Sequence, residues 1–385
     1  MVRQSCVRLH EMGHSVEVVC LDAPDAPWLR DFPAQVHPLG PAKGKYGFSG
    51  RFMAWVRRHA AEYRAVIVDG IWQFPSLGTW LALRKSKTPY FVVSHGMLDP
   101  SFKSRYPLKH LKKQVYWLFA AYWILRRARA VFYTSQQEKV LARKSFWPYR
   151  AKEAVVGLGC EEPLGDMYHQ RQLFFNTFPK LRDKRLILFV GRLHPHKGCD
   201  LLIEAFAQLA HYDPRLHLLL VGPDESGWQK KLQRRVVELG LRDRVTFTGM
   251  LMGDVKWGTF SAAEVLMLPS HSESFGLVVA EAMAYGVPVL ISDKVNIWRE
   301  VESTGGGFVA SDDLSGALSL LDKWLRLTPH ERQSMKSEAQ KGFSERFSLH
   351  AALEEFISVL HTLSVAKGSG SSRICSDFSD SLKHR

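Results

Sequence analysis

Residues 185–206 read RLILFVGRLHPHKGCDLLIEAF, and this stretch decides the fold. Arg185–Val190 is a short apolar run closed by Gly191, which reads as a strand buried on both faces. Gly198–Ala210 reads as the helix that follows. A strand, a polar turn and a helix make a βα unit, and in parallel sheets ligands sit beyond the carboxyl ends of the strands. Arg192 and Lys197 project from that turn. Two fixed cations beside helix N-terminal amides suit a diphosphate, the plainer alternative being a basic surface loop. His194 and His196 have no third ligand at metal spacing and read as loop or site-wall residues.

The same alternation runs outward in both directions. Leu216–Val221, Val245–Thr248, Val265–Leu268 and Val287–Ile291 read as strands, with Trp228–Leu239 and Phe275–Tyr285 as helices between them. Upstream, Ser15–Leu21, Ala65–Val68, Tyr90–Val93 and Ala130–Tyr133 read as strands. The helices there are Val2–Glu11, Phe52–Tyr63, Ser76–Ser86 and Lys109–Arg129. The polar stretch from Cys160 to Asp183, with no distinct pattern, separates the halves. The fold class expected is α/β: two Rossmann-like, doubly wound domains facing a cleft. The first half opens on a helix, where such a domain opens on a strand and a Gly-rich turn. Its first strand is therefore read as missing, the chain beginning inside a longer frame.

At 385 residues, 46% hydrophobic and 23% charged, the chain is long enough for two or three cores and too ordinary in composition for disorder, collagen or a coiled coil. The longest apolar run, Val115–Leu125, falls short of the ~20 residues of a spanning helix. The N-terminus lacks the apolar core and cleavage site of a secretory signal. Five cysteines without a CxxC pair argue for reduced thiols and against a zinc site. The tail Lys367–Arg385 is Ser-rich and expected to be disordered. Net charge is +14, which favours polyanionic partners.

A second constellation lies at Pro269–Leu277, PSHSESFGL, running into VVAEAMA. Here a loop after the strand Val265–Leu268 carries Glu273, and the helix after it carries Glu281. The amides of Phe275, Gly276 and Leu277 are expected at the helix start. Carboxylates so placed can accept hydrogen bonds from the hydroxyls of a sugar and a ribose.

These motifs, with VGPDESGW, VTFTGM and AYGVPVL, resemble the retaining GT-B glycosyltransferases of glycosyltransferase family 4, the glycosyl transferases group 1, densely over 185–309 and loosely before. The resemblance implies a transferase moving a sugar from a nucleotide-sugar donor, such as a GDP- or UDP-sugar, to a saccharide or lipid-linked glycan in bacterial polysaccharide synthesis. It implies that Arg192 and Lys197 bind the diphosphate and that Glu273 contacts the transferred sugar, with Ser274 and the Phe275–Leu277 amides beside it. Glu281 would hold the ribose. Thr248, Gly249 and Met250 would read the base, while Gly191, Gly222 and Pro223 shape the sugar-phosphate wall. His95, in Ser94-His95-Gly96-Met97, would lie near the sugar. The implied organisation is an acceptor-side domain at 1–165, a donor domain at 166–345, a crossover helix at 346–365 and the tail at 366–385.

No cofactor is expected, and no metal: Asp22–Asp25 has the wrong spacing for a DxD motif. Cations and helix N-termini can stabilise a leaving diphosphate without one. Between Asp99 and Glu138 no acidic residue occurs, while Lys103, Arg105, Lys109, Lys112, Lys113, Arg126, Arg127 and Arg129 do. With Trp117 and its aromatic neighbours these suit an anionic membrane surface; the alternative is a core helix with solvated ends. Nucleic acid is disfavoured for want of a recognition motif. The expected location is cytoplasmic, peripheral to the inner face of the membrane. The rival functions are a sugar-nucleotide epimerase of similar architecture and a non-catalytic nucleotide-sugar-binding protein. A dehydrogenase is disfavoured because no GxGxxG follows a strand.

Overall fold

The structure, a computed structural model, describes residues 2–224 and 227–365; the tail expectation at 366–385 lies outside the described residues. Six strands form the C-terminal sheet: β7 (Arg185–Val190), β8 (Leu216–Val221), β9 (Val245–Gly249), β10 (Ala263–Leu268), β11 (Val289–Ser292) and β12 (Gly307–Ala310). They pair in parallel in the order β12-β11-β10-β7-β8-β9. The chain enters at β7, winds out to β9, then returns to β10 on the other flank of β7. The winding direction therefore reverses between β7 and β10. Helices cover both faces, which is why Leu186–Phe189 and all of β8 are buried instead of alternating. Within β8, burial drives the His217 pKa down to about 4, and its Nε2 meets Thr246 Oγ1 at 2.8 Å.

The N-terminal half is built differently. β3 (Val66–Asp69), β4 (Tyr90–Val93), β5 (Val131–Tyr133) and β6 (Glu153–Val155) form one parallel sheet in that order. β1 (Glu17–Cys20) and β2 (Gln35–Pro38) form a separate parallel pair. Two sheets thus stand where one doubly wound sheet is the simpler expectation.

Several expected elements are corrected. The stretch from Cys160 to Asp183 contains a helix, Met167–Thr177, capped by Asp166 and packed on the helix Gly253–Ala262. Gly258 permits that approach, since a Cβ there would lie 2.2 Å from the Gln170 carbonyl oxygen. Its buried face includes the polar Gln170, which blurs the apolar period. Lys109–Arg129 is not one regular helix but Pro107–Tyr116 and Tyr122–Arg127 joined by a wide π turn at Trp117–Ala121. The last strand of the Val287–Ile291 reading starts instead at Val289, after Pro288, which has no N–H to give the ladder. β2, β6 and β12 are three or four residues long and lack a strong sequence pattern.

The chain crosses between the halves twice, and the crossings are stitched together. The Cys160 amide donates to Phe347 O at 3.0 Å and the Leu349 amide to Cys160 O at 2.8 Å. Gly159 makes this possible, because a Cβ there would stand 2.5 Å from Ser348 O. After the second crossing the helix Leu349–Val365 lays Phe356, Val359, Leu360 and Leu363 on Phe91 and Phe132 of the N-terminal sheet. No described helix is long and apolar enough to cross a membrane.

Candidate functional site

Three neighbouring strands of the C-terminal sheet end in turns tied edge to edge. The Gly191 amide donates to Val221 O, the Gly222 amide to Gly249 O and the Leu193 amide to Pro223 O, each at 2.9 Å. Gly222 has φ +146°, and a Cβ there would meet Gly191 O at 1.9 Å, so only glycine fits. Gly191, Gly222, Pro223 and Gly249 thus form one backbone wall at the carboxyl edge. Beyond it Met250 is exposed, and Thr248 Oγ1 donates to Gly249 O at 2.9 Å.

Lys197 and Glu273 come from the two loops that flank the reversal point, after β7 and β10. Gly198, at φ +67°, lets the first loop pass against the second, where a Cβ would lie 2.1 Å from Pro269 O. The His271 amide donates to His196 O at 2.9 Å, fixing the register of the loops. The Glu273 backbone is held in turn by Lys294 O and the Asn296 amide, both at 3.0 Å. The outcome is a direct ion pair between the Lys197 ammonium and the Glu273 carboxylate, each side chain about one-fifth exposed. Arg192 lies exposed in the same turn as Lys197.

The helix after Glu273 is shorter than expected: it runs Leu277–Ala284, with Gly276 (φ +83°) as its N-cap. The Phe275 and Gly276 amides therefore belong to the preceding turn, and Phe275 is buried against Phe347. Val279 and Met283 are fully buried, which turns Glu281 away from the core. Its two carboxylate oxygens lie 3.1 Å from Lys256 Nζ, and that ammonium sits 4.0 Å over the Trp257 ring. This pair lines a cavity of about 210 Å³ with Leu277, Tyr285 and the 159–164 crossing. Lys197 and Glu273 do not line it, so the two glutamates do not share that hollow. Sequence reading missed Lys256; its only signal was a half-buried carboxylate in need of a partner.

Across the cleft, β4 ends in Ser94-His95-Gly96. His95 has φ +47°, and Gly96 follows at +71° against Ser274, whose Oγ would lie 2.3 Å from a Cβ on Gly96. Ser272 Oγ also donates to Asp99 at 3.4 Å. The His95 turn and the Glu273 loop thus touch. Two further residues shape this turn. Asp69, at the end of β3, hydrogen-bonds His95 Nε2, and that bond raises the His95 pKa against the opposing effect of burial. Glu138 is buried and accepts from Ser94 Oγ, from the Gly96 amide at 2.7 Å, and from the Thr134 amide and hydroxyl at 2.7 and 2.6 Å. Neither acid was anticipated, because the topology alone brings β3 and the Thr134–Glu138 turn to the end of β4.

The basic segment differs from its expected layout in one respect. Trp117 is fully buried and donates Nε1–H to Pro148 O at 2.7 Å, so it belongs to the core and not to a surface. Lys113 is half-buried, 4.5 Å over the Trp72 ring, while Lys109, Lys112, Arg126 and Arg127 are exposed. Of the five cysteines, Cys6, Cys20, Cys160 and Cys199 are free thiols, and burial pushes Cys160 and Cys199 up to about 12.

Two α/β units meeting at a cleft, with a charged pair at the winding reversal of the second, define the GT-B class of glycosyltransferase folds. Residues 170–342 match the family model described as glycosyl transferases group 1, and residues 1–159 the glycosyl transferase 4-like domain. Residues 170–342 thus form a glycosyl transferases group 1 domain, preceded by a glycosyl transferase 4-like domain. It is 35% identical over 196 residues to a D-inositol 3-phosphate glycosyltransferase of Frankia alni, covering 48% of each chain. The chain spans about half the length of the curated relatives it matches. Among solved structures, a sucrose-phosphate synthase from Thermosynechococcus elongatus superposes with a TM-score of 0.70 at 22% identity, over 94% of this chain and 92% of that one. Anabaena HepE in complex with UDP gives 0.72 at 20% identity, over 93% and 94%.

Proposed function

We propose that the chain is a retaining glycosyltransferase that moves a sugar from a nucleoside-diphosphate sugar to a saccharide or lipid-linked glycan in polysaccharide synthesis. The observation that carries this reading is the Lys197–Glu273 pair at the reversal point, with the His95 turn in contact across the cleft. Without donor the two charges neutralise each other. An incoming diphosphate takes Lys197 and Arg192 as counter-charges, and the released Glu273 carboxylate accepts hydroxyls of the transferred sugar. As the glycosidic bond breaks, negative charge grows on the diphosphate, and the two cations with the turn amides at Phe275–Gly276 would stabilise it. Charge is thus met by side chains, which supports metal independence. The Lys256–Glu281 pair joins the helices Gly253–Ala262 and Leu277–Ala284 about one turn in from their starts, and offers its carboxylate to a ribose. Glu273, engaged by hydroxyls of the transferred sugar, is then not free to act as the nucleophile, which favours attack on the same face as the departing phosphate and hence retention.

Labelled UDP-glucose, the ligand of one HepE complex, and GDP-sugars, each with and without saccharide and lipid-linked acceptors, test the proposal. Transfer with retained configuration, undiminished in EDTA, is expected. Epimerised donor in the absence of acceptor, or binding without turnover, would install a rival; loss in EDTA restored by Mn²⁺ would overturn the metal-independent step.

Peripheral membrane contact rests on a separate observation. Leu108, Leu111, Val115, Phe119 and Trp123 are exposed at helical spacing on one stripe, with Lys109, Lys112 and Arg126 beside it. Flotation on phosphatidylglycerol vesicles, reduced by Leu111→Glu or Phe119→Glu, is the expected result; equal recovery on neutral vesicles would remove the claim.

A further inference from the structure

A second hollow lies in the N-terminal half, away from the charged pairs of the donor side. It encloses about 550 Å³ between the helix Pro107–Tyr116 and the segment 143–149, within the size range of small-ligand sites. Lys103, Arg143 and Lys144 line it and, among the described residues, no carboxylate does. Arg143 is answered from outside by the Glu153 carboxylate; among the described residues Lys103 and Lys144 have no ion-pair partner. The crowding bears on His110, whose pKa is lowered by burial first and by Lys103 and Lys113 after it.

The frame is built rather than loose. Gln114 holds the Trp147 backbone at both its amide and its carbonyl, and Trp117 holds Pro148 O. His110 lies flat on Phe146, with ring centroids 4.6 Å apart and planes 14° apart. Beside this cationic floor the Trp147 indole is 80% exposed. An exposed indole face suits the C–H face of a sugar ring, and paired lysines suit a phosphoryl group. The apolar ridge of the same helix occupies another stripe, since residues 110, 114 and 117 face the segment 143–149. Two rings lead back to the reacting cleft: Phe146 packs on Trp72 at 5.1 Å, and Trp72 Nε1 donates to Met97 O at 3.3 Å in the His95 turn.

We propose that this hollow binds a phosphorylated saccharide, holding the anionic end of the acceptor away from the hydroxyl that reacts. The word acceptor rests on the transferase reading above; the binding does not. Phosphate enters between Lys103 and Lys144, and the sugar ring lies on Trp147. Soluble sugar phosphates and lipid-linked sugar phosphates share this chemistry.

Calorimetry on the full chain saturated with UDP, which occupies the donor side, tests the site with glucose 6-phosphate and glucose as probes. Glucose 6-phosphate is expected to bind and glucose not. Lys103→Glu with Lys144→Glu should weaken it by about tenfold or more, and Trp147→Ala should abolish its advantage over inorganic phosphate. UDP binding should be unchanged in both variants, which reports an intact fold. Phosphatidylcholine vesicles carrying a polyprenyl-diphosphate sugar form the second arm; capture there that glucose 6-phosphate competes away supports the same site for a lipid-linked source. No binding of either, or binding indifferent to the lysine variants, overturns the proposal. So does capture by phosphatidylglycerol vesicles that needs Lys103 and Lys144 while neither sugar phosphate binds, since the surface is then a membrane contact. Failure of UDP itself to bind would strike the transferase reading and leave sugar-phosphate binding to be judged by the same variants.

Discussion

In the C-terminal half one continuous sheet places the glycine wall and the Lys197–Glu273 pair, and in the N-terminal half one buried carboxylate does most of that work. On the donor side, Gly191, Gly222 and Gly249 end adjacent strands and bond to their neighbours' carbonyls or turns, so backbone pairing alone sets the wall. Lys197 and Glu273 then meet because β7 and β10 are sheet neighbours. On the other side the strands fall into two sheets. The turn that carries His95 is held by four donors converging on Glu138. A site fixed by a ladder spreads its constraint over many weak bonds, whereas a site fixed by one buried acid concentrates it. The first should tolerate single changes in its supports, and the second should not.

The largest effect expected is on chemistry. Lys197→Ala and Glu273→Ala, and Arg192→Ala with them, should each cut transfer by about 10²–10³, with thermal melts near wild type. Wild-type turnover in any of them would leave the donor side without its assigned chemistry.

Next comes the support that tests the contrast itself. Glu138→Ala strips the acceptor from buried donors of Ser94, Gly96 and Thr134, and should cost about 2–3 kcal/mol in urea titrations. Ser135→Ala, which removes only the cap accepting from the Glu138 amide at 3.1 Å, should cost about 1 kcal/mol. If the two variants are equally mild, the N-terminal turn is not concentrated on one residue and the contrast fails.

A smaller effect is expected where the halves touch. Gly96→Ala carries a left-handed penalty of about 1–2 kcal/mol and presses on Ser274. Adding Ser274→Gly should recover the pressing but not the backbone penalty, which a double-mutant cycle separates. Full additivity would mean that the halves are not in contact there.

The smallest concerns pH. The Asp69 hydrogen bond raises the His95 pKa above its ordinary 6.5. A raised folded-state pKa contributes stability that is fully present below 6.5 and is lost as pH climbs through the folded value. Asp69 is well exposed, so the contribution is a few tenths of a kcal/mol. Urea midpoints of wild type should exceed those of Asp69→Asn at about pH 5.5 and converge with them by about pH 9. A gap that widens with rising pH would reverse the assignment.

Arg185–Val190 and Leu216–Val221 were legible residue for residue, because strands buried on both faces are written as unbroken apolar runs. Lys197, Glu273 and Glu281 were legible as well, since each sits at a fixed offset from such a strand. Their partners were not. Lys256 reaches Glu281 from a helix 25 residues back, and Glu138 reaches Ser94 from 44 residues on. Trp117 read as a surface aromatic, while the wide turn at Trp117–Ala121 and the anchored Pro148 carry it into the core.

Local spacing thus settled which residues stand at the carboxyl ends of the strands, for side-chain periodicity is a property of a few consecutive residues. Which charges neutralise one another, which acid holds the His95 turn and which cations are left facing an open hollow depended on strand order and helix packing. Those are set by burial over the whole chain, and no window of neighbouring residues contains them.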